Sequence, residues 1–360
     1  MKLQSVMPGF VLACVMHPSQ NYENSQRRGS TPMIGAGLNL LALLPCPVKV
    51  PIEQAFDEYL ATLPPERAAA LRCQLEGNAN IESDYYNTVE QLTELDQFPD
   101  IIISPGFNSL FERPFVERFI QTNRFVSVND YAGDRHLSAL GVCDPTGHYT
   151  MLAMNLLVPV VDHRRLGGRP VPRCWADLLK REYENSLAIR GHKDGTFCET
   201  LLLAIYKDTG VEGLRTMGRN VRYGWHPSQM VKAALGSSAD APAISVMPLF
   251  FAQTLVGKEQ YSIIWPDDGA LISPVTMLVK TEKRAELDDL LAFWAGPQVA
   301  SIFSGAFFPA VHPGVDNQLP EAATFKWIGW DYIINNDIKK LISGVNAAFR
   351  QGRGENIRCA

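Results

Sequence analysis

At 360 residues the chain exceeds the roughly 250–300 at which a single hydrophobic core stops growing, so two lobes are expected. Hydrophobic residues make up 46% and charged residues 20%, which excludes a disordered chain. A net charge of -5, with no lysine or arginine run, excludes nucleic acid as a partner.

Seven cysteines (Cys14, Cys46, Cys73, Cys143, Cys174, Cys198 and Cys359) are an odd number, widely spread and without Cys-x-x-Cys, so no disulfide framework is expected. No segment approaches the roughly 18 apolar residues that span a bilayer, because Leu38–Leu44 stops at Pro45; membrane insertion is not expected. Met1–Met16 carries one lysine and an apolar patch broken by Pro8 and Gly9, and Val11-Leu12-Ala13-Cys14 is only a faint likeness of a lipoprotein cleavage box. A cytoplasmic monomer is the expectation, with a periplasmic or lipid-anchored protein as the alternative.

Residues 1–37 lack any sustained period and read as a loose extension, and 351–360 as a tail. Leu38–Leu44 is a continuous apolar run suited to a strand buried on both faces, and Ile52, Phe56, Tyr59 and Leu60 follow at helical spacing. Leu71–Leu75 is a weaker strand, and Val89, Leu92 and Leu95 mark one helix face. Asp100–Ser104 is a strand running into Pro105–Ser109 and a helix with Phe115, Phe119 and Ile120. Tyr149–Val161, interrupted by Pro159, reads as a long crossing strand.

The alternation restarts after it, with a short helix at Trp175–Leu179, a strand at Ser186–Ile189 and a helix capped by Thr196 and running through Tyr206. Further helices are expected at Val211–Met217 and from Pro227, then a strand at Ala243–Met247 and a helix at Leu249–Leu255. Tyr261–Lys280 reads as strand, turn, strand, with Pro274 marking a sheet edge or a crossing between two sheets. Leu287–Trp294 forms a helix that Pro297 ends, and Tyr332–Phe349 closes the chain as one helix. The pattern predicts an α/β protein of two lobes, each a mostly parallel sheet with flanking helices, joined by two crossing strands. Lobe 1 takes 38–152 and 273–350, and lobe 2 takes 153–272.

Open α/β sheets bind ligands beyond the carboxyl ends of their strands, where helix starts present unpaired N–H groups. Three segments have that form: Ser104, Gly106, Phe107 and Asn108 after a strand; Asp194, Gly195 and Thr196 before a helix; and His226, Ser228 and Gln229 at another helix start. Helix capping is the competing account of each. Cys46 follows the first strand, and Tyr149, with Phe107, Trp225 and Trp265, could wall the cleft; Asp268, beside Asp267, would suit a cation instead. The uncharged donors favour a small anionic ligand. There is no His-x-His, no His-Glu-x-x-His, no phosphate-binding Gly-x-x-x-x-Gly-Lys loop and no dinucleotide fingerprint, so neither a metal site nor a cofactor is expected. An enzyme on the same fold, using Cys46, Cys198, His192 or His226, is the alternative function.

Over about Leu38–Phe349 the chain resembles the type II solute-binding proteins of ABC transporters, particularly the ferric-iron branch. The likeness is carried by the Asp100–Gly106 segment, by Pro172–Leu179 with Tyr183 and Ala188-Ile189 after it, and by Trp265–Ala270 followed by Ser273-Pro274-Val275. The resemblance implies two lobes closing on a small-molecule ligand by hinge motion, and an ABC permease as partner if the protein is exported. Ferric iron or another metal complex is the alternative ligand it implies. Iron-binding members commonly use adjacent tyrosines in the second half, whereas the Tyr-Tyr pair here, Tyr85-Tyr86, stands in the first.

Overall fold

A computed structural model of the protein describes residues 35–128, 137, 140–192, 195–236 and 241–354. Of the expected extension 1–37 only residues 35–37 are described, and the expected tail 351–360 is described through Gly354, with Gln351 and Gly352 continuing the last helix instead of starting a tail. Strand β1, Leu40–Leu44, is buried along its whole length. Its side chains alternate between two cores, Leu41 and Leu43 entering one while Leu40, Ala42 and Leu44 enter the other, which is why the sequence shows an unbroken apolar run. Helix α1, Cys46–Thr62, begins between Pro45 and Pro47, where missing N–H groups cost nothing, and lays Val48, Ile52, Ala55 and Phe56 on the second core. Strands β2 (Cys73–Gly77) and β3 (Ile101–Pro105) flank β1, both parallel to it.

Between them, helix α2 spans Asn78–Val89 and stops short of the expected Leu92 and Leu95. The Gln97 side chain accepts from the N–H groups of Thr93 and Glu94, both at 2.9 Å, and so starts a separate turn at Leu95–Gln97. The helix expected around Phe115 is present as Arg113–Phe115 continued by a π-helical turn, Val116–Ile120. A short strand, β4 (Phe125–Val126), was not expected.

Strand β5, Thr150–Asp162, is one of the two expected crossings. In the second lobe, β6 (Leu187–Ile189), β7 (Val221–Gly224) and β8 (Ile244–Pro248) form a parallel set in the spatial order β8-β6-β7. Strand β7 escaped the sequence reading because it follows helix α3, Glu199–Asn220, without a break. That helix begins at Glu199, three residues beyond the expected Thr196 cap, and it absorbs the expected second helix through a kink at Gly210 (φ 66°). Helix α4 is Pro227–Leu235, and β9 (Tyr261–Ile263) precedes the second crossing, β10 (Ala270–Lys280). A final short strand, β11 (Phe325–Lys326), pairs with β10.

One continuous sheet of 11 strands results, ordered β2-β1-β3-β10-β5-β8-β6-β7, with β4 and β11 on β10 and β9 on β5. Both crossing strands run antiparallel to their neighbours β3 and β8 and to each other, so parallel pairing belongs to the outer set of each lobe and to the short β10–β11 pair. Each crossing strand carries its proline where lateral pairing changes hands. Pairing of β10 with β3 goes no further than Val275, next to Pro274. On β5, Pro159 lies between Leu157, the last partner of β10, and Val160, the first partner of β9. Pro274 is paired with Met154 of β5 and its carbonyl accepts from the Gly106 N–H, while Pro159 is paired with Val246 of β8 and its carbonyl accepts from the Ile264 N–H; each proline thus has a strand on either side, which resolves the choice between edge and crossing in favour of crossing.

Two differences close the chain. Pro297 ends one helix (Asp288–Trp294) and also opens another, Pro297–Gly305, because proline fits a first helical turn. The expected closing helix is split into Trp330–Asn335 and α5, Ile338–Gly352, with the Asp337 carboxylate accepting from the Lys340 N–H at 3.1 Å. Helix α5 lies along α3: a Cβ at Gly352 would stand 2.0 Å from the Arg215 carbonyl, and Phe349 packs on Phe197 with centroids 4.7 Å apart. The sequence reading placed 338–350 with lobe 1, yet its packing partner belongs to the other half of the sheet.

Candidate functional site

The register of the crossing strands decides where the cleft lies. Pro105, the last residue of β3, faces Val275 in the middle of β10, and Pro248, the last of β8, faces Leu157 in the middle of β5. Since β1 and β2 run with β3, and β6 and β7 with β8, the carboxyl ends of both parallel sets point toward the same middle zone. Cys46, Asn78 and Gly106–Asn108 stand at these ends on one side; Arg190–His192, Trp225-His226 and Leu249 stand on the other. This is the place where an open α/β sheet takes a ligand.

The β3 end is tightly built. Ser104 is buried, and the Gly106 N–H donates to the Pro274 carbonyl at 2.7 Å. Asn108 accepts from the Leu110 N–H at 3.0 Å through Oδ1, while its amide nitrogen donates to Ser104 Oγ and the Pro105 carbonyl, each at 3.3 Å. Asn108 is therefore a cap of the turn Ser109–Phe111. Phe107 is buried against Phe111 and Trp327.

Across the cleft, the loop joining β6 to α3 closes on itself: the His192 N–H donates to the Thr196 carbonyl at 2.8 Å, and the Gly195 N–H to the His192 carbonyl at 3.1 Å. Asp194 lies outside the described residues. Asn346 of α5 accepts from the Phe197 N–H at 2.7 Å and so fixes the loop from behind. The loop delivers Glu199, whose carboxylate faces Gly106: a Cβ on Gly106 would stand 3.2 Å from Glu199 Oε1 and 3.8 Å from Ser273 Oγ. His192 Nε2 is 3.7 Å from Glu199 Oε2. Burial pushes the Glu199 carboxyl up, but the hydrogen bond and charge of His192, with the charge of Arg190, outweigh it and hold the group below the ordinary glutamate range.

The third predicted segment is at the exposed end of α4. His226 Nδ1 accepts from the Ser228 N–H at 3.3 Å, the Ser228 hydroxyl lies 2.8 Å from the same nitrogen, and Gln229 accepts from the His226 N–H at 2.9 Å. This is a reciprocal cap, so the competing account of Ser228 and Gln229 describes their bonds fully. Beside it Trp225 stacks on Tyr223 with centroids 4.0 Å apart.

Two predicted site residues are placed elsewhere. Tyr149 is buried in the core, its ring 4.9 Å from Phe111 and its hydroxyl donating to the Leu110 carbonyl at 2.7 Å. Asp268 accepts from the Trp175 N–H at 3.2 Å and lies 3.6 Å from Lys326, while its neighbour Asp267 pairs with Arg173 at 3.0 Å. Those aspartates hold the Trp175 turn to the β9–β10 connection. Among the candidate nucleophiles, Cys46 is exposed, whereas Cys198 is buried, its thiol pushed up to about 12 by burial and then by the neighbouring Glu199 charge. Glu199, Arg190 and Ser273 were missed by the sequence reading, because an acid at a helix start reads as routine charge complementarity. Among the described residues no group of three or more His, Cys, Asp or Glu side chains is arranged to hold a metal ion. Nor does any described helix have the length and apolarity to cross a membrane.

A family model described as bacterial extracellular solute-binding protein matches residues 96–336. The chain belongs to that family. This solute-binding protein has the two-lobed type II fold of the solved structures similar to it. One is ferric iron-binding protein A of Mannheimia haemolytica in an open conformation, at 14% identity and TM-score 0.58, covering 89% of this chain and 99% of that one. Another is the periplasmic binding protein AfuA from Actinobacillus pleuropneumoniae with exogenous fructose-6-phosphate bound, at 13% identity and TM-score 0.59, covering 87% and 98%. A third is an ABC transporter structure from Clostridium perfringens, at 15% identity and TM-score 0.59, covering 87% and 98%. At such identities the likeness concerns the fold alone. No curated protein sequence matches the chain. The extracellular setting of the solute-binding family runs against the cytoplasmic location expected from the sequence, and supports the periplasmic alternative.

Proposed function

We propose that this solute-binding protein captures a small anionic solute between its lobes outside the cytoplasm and hands it to an ABC permease. The contact set is Cys46, Ser104 and Gly106 from the first lobe and Arg190, His192, Gly195, Thr196 and His226 from the second. The observation that carries the reading is the make-up of the second wall: the Arg190 cation and the His192 and His226 imidazoles stand at the carboxyl ends of β6 and β7, and Glu199 is the carboxylate among the described residues there. Of the acidic residues that argued for a cation, Asp267 and Asp268 are engaged with Arg173, Trp175 and Lys326, and Asp194 lies outside the described residues. The metal alternative has less support, since the Tyr85 hydroxyl is fully buried and no described cluster of His, Cys, Asp or Glu suits an ion. The lobe boundaries proposed are those of the sequence reading, except that Ile338–Gly352 joins lobe 2 through its packing on α3.

The test is native mass spectrometry of the protein as purified, followed by small-angle scattering with inorganic phosphate, small carboxylates and ferric citrate as probes. An anion that compacts the protein, with no response to ferric ion beyond that of citrate alone, is the expected outcome. Compaction by a metal cation alone would overturn the anionic reading.

A further inference from the structure

The Glu199 carboxylate is out of place in a wall built to attract anions. Its side chain is 18% exposed, and it faces a glycine whose φ of 76° brings bare backbone to the cleft floor. With no side chain on Gly106, the Oε1 edge is left uncovered by lobe 1, and Ser273 Oγ is the nearest hydroxyl on the crossing strand. An ionised carboxylate accepts up to about four hydrogen bonds, and those on Glu199 come from the His192 ring, at 3.7 Å, and from its own backbone N–H, which leaves acceptor capacity for a ligand. Standing at the first position of α3, Glu199 also gives that helix end its own negative charge. A second bare anion brought to that point meets repulsion, whereas a donor meets a charged acceptor held out of water.

We propose that Glu199 is a specificity-determining contact, and that the solute is a hydroxylated anion: its negative charge lies on the Arg190 and His226 side of the cleft, and a hydroxyl donates to the Glu199 carboxylate. Ser273 Oγ, on the same floor, orients that hydroxyl. The inference rests on the anionic reading above and narrows its class. Glu199 discriminates in two ways, by accepting from the hydroxyl and by penalising a ligand that offers only charge or only hydrocarbon there.

Matched probes test it in calorimetry on the full chain: glycerol 3-phosphate against n-propyl phosphate, and lactate against propionate. The wild type binds the hydroxylated member of at least one pair about tenfold or more tightly, the range for a hydrogen bond to a charged acceptor. In Glu199→Ala that gap collapses to under about threefold while the plain anion keeps or improves its affinity, as removal of a repelling charge requires. Glu199→Gln, which retains an acceptor oxygen and the side-chain volume, keeps an intermediate gap and serves if the alanine variant fails to fold. A gap that is absent in the wild type, or that survives in both variants, overturns the inference while leaving the anionic reading standing. If none of the four probes binds, the anionic reading falls and takes this inference with it.

Discussion

The crossing strand β10 ends in a buried ion pair, and removing its cation should be among the costliest single changes in the first lobe. Lys280 is 5% exposed and Asp100 8%, with Lys280 Nζ 3.1 Å from Asp100 Oδ1. Asn39 donates to the other carboxylate oxygen at 2.9 Å, and the Lys280 N–H donates to the Asp100 carbonyl, so neither residue can turn to water without breaking the sheet. At that separation the attraction is about 5 kcal/mol for an effective dielectric constant of about 20. Much of this only offsets desolvation, so the pair itself adds little net stability. Lys280→Met preserves the stem and strands the carboxylate, which should cost about 3–5 kcal/mol in urea unfolding followed by tryptophan fluorescence. Adding Asp100→Asn should recover most of that loss, because no buried charge is then left uncompensated and Asn39 keeps an acceptor. Ligand affinity should not change, since Asp100 stands at the opposite end of β3 from Gly106. A single-variant loss under about 1 kcal/mol, or a double variant no more stable than the single, would refute the reasoning.

Other consequences follow from the same geometry. Asp268→Ala removes the acceptor of the Trp175 N–H and should lower stability by about 1–2 kcal/mol while leaving ligand binding unaffected; a loss of binding in a variant of unchanged melting temperature would return Asp268 to the site. Cys46 should react with a thiol reagent at pH 8 in the native protein, whereas Cys198, with its thiol raised to about 12, should react only on unfolding, and equal rates would contradict the burial described. Asp162 is pushed up by burial but held below its ordinary value by the hydrogen bonds and charge of Arg164 and Arg165. A depressed folded-state pKa contributes stability above the unfolded value, near pH 4, that is lost as pH falls through the folded one. The wild type should therefore exceed Asp162→Asn in stability at pH 7 and lose that advantage toward pH 3; an advantage that grows on acidification would show the sign to be wrong.

The elements most legible in the sequence were those fixed by local pattern. Leu40–Leu44 and Ile101–Ile103 are unbroken apolar runs because each strand feeds two cores, and Pro45, Pro47 and Pro227 mark helix starts by chemistry that needs no tertiary partner. Boundaries were less legible wherever a distant group intervened. Gln97 began a new turn before Leu95 could join α2, and Gly210 let one helix continue where two were expected.

The sequence by itself determined the alternation of strands and helices, the two long proline-bearing runs, and hence a chain that leaves one half of the sheet and returns to it. Only the tertiary structure decided what those prolines mean, because whether Pro159 and Pro274 stand inside the sheet or at its edge depends on which strands pair beside them. The assignment of polar residues to site or scaffold was likewise a tertiary matter. Ser228, Gln229 and Asn108 have the same composition whether they cap a helix or meet a ligand, and only their bonds show capping. Glu199 reaches Gly106 across ninety-odd residues of chain through strand register alone, a distance over which no residue pattern carries information.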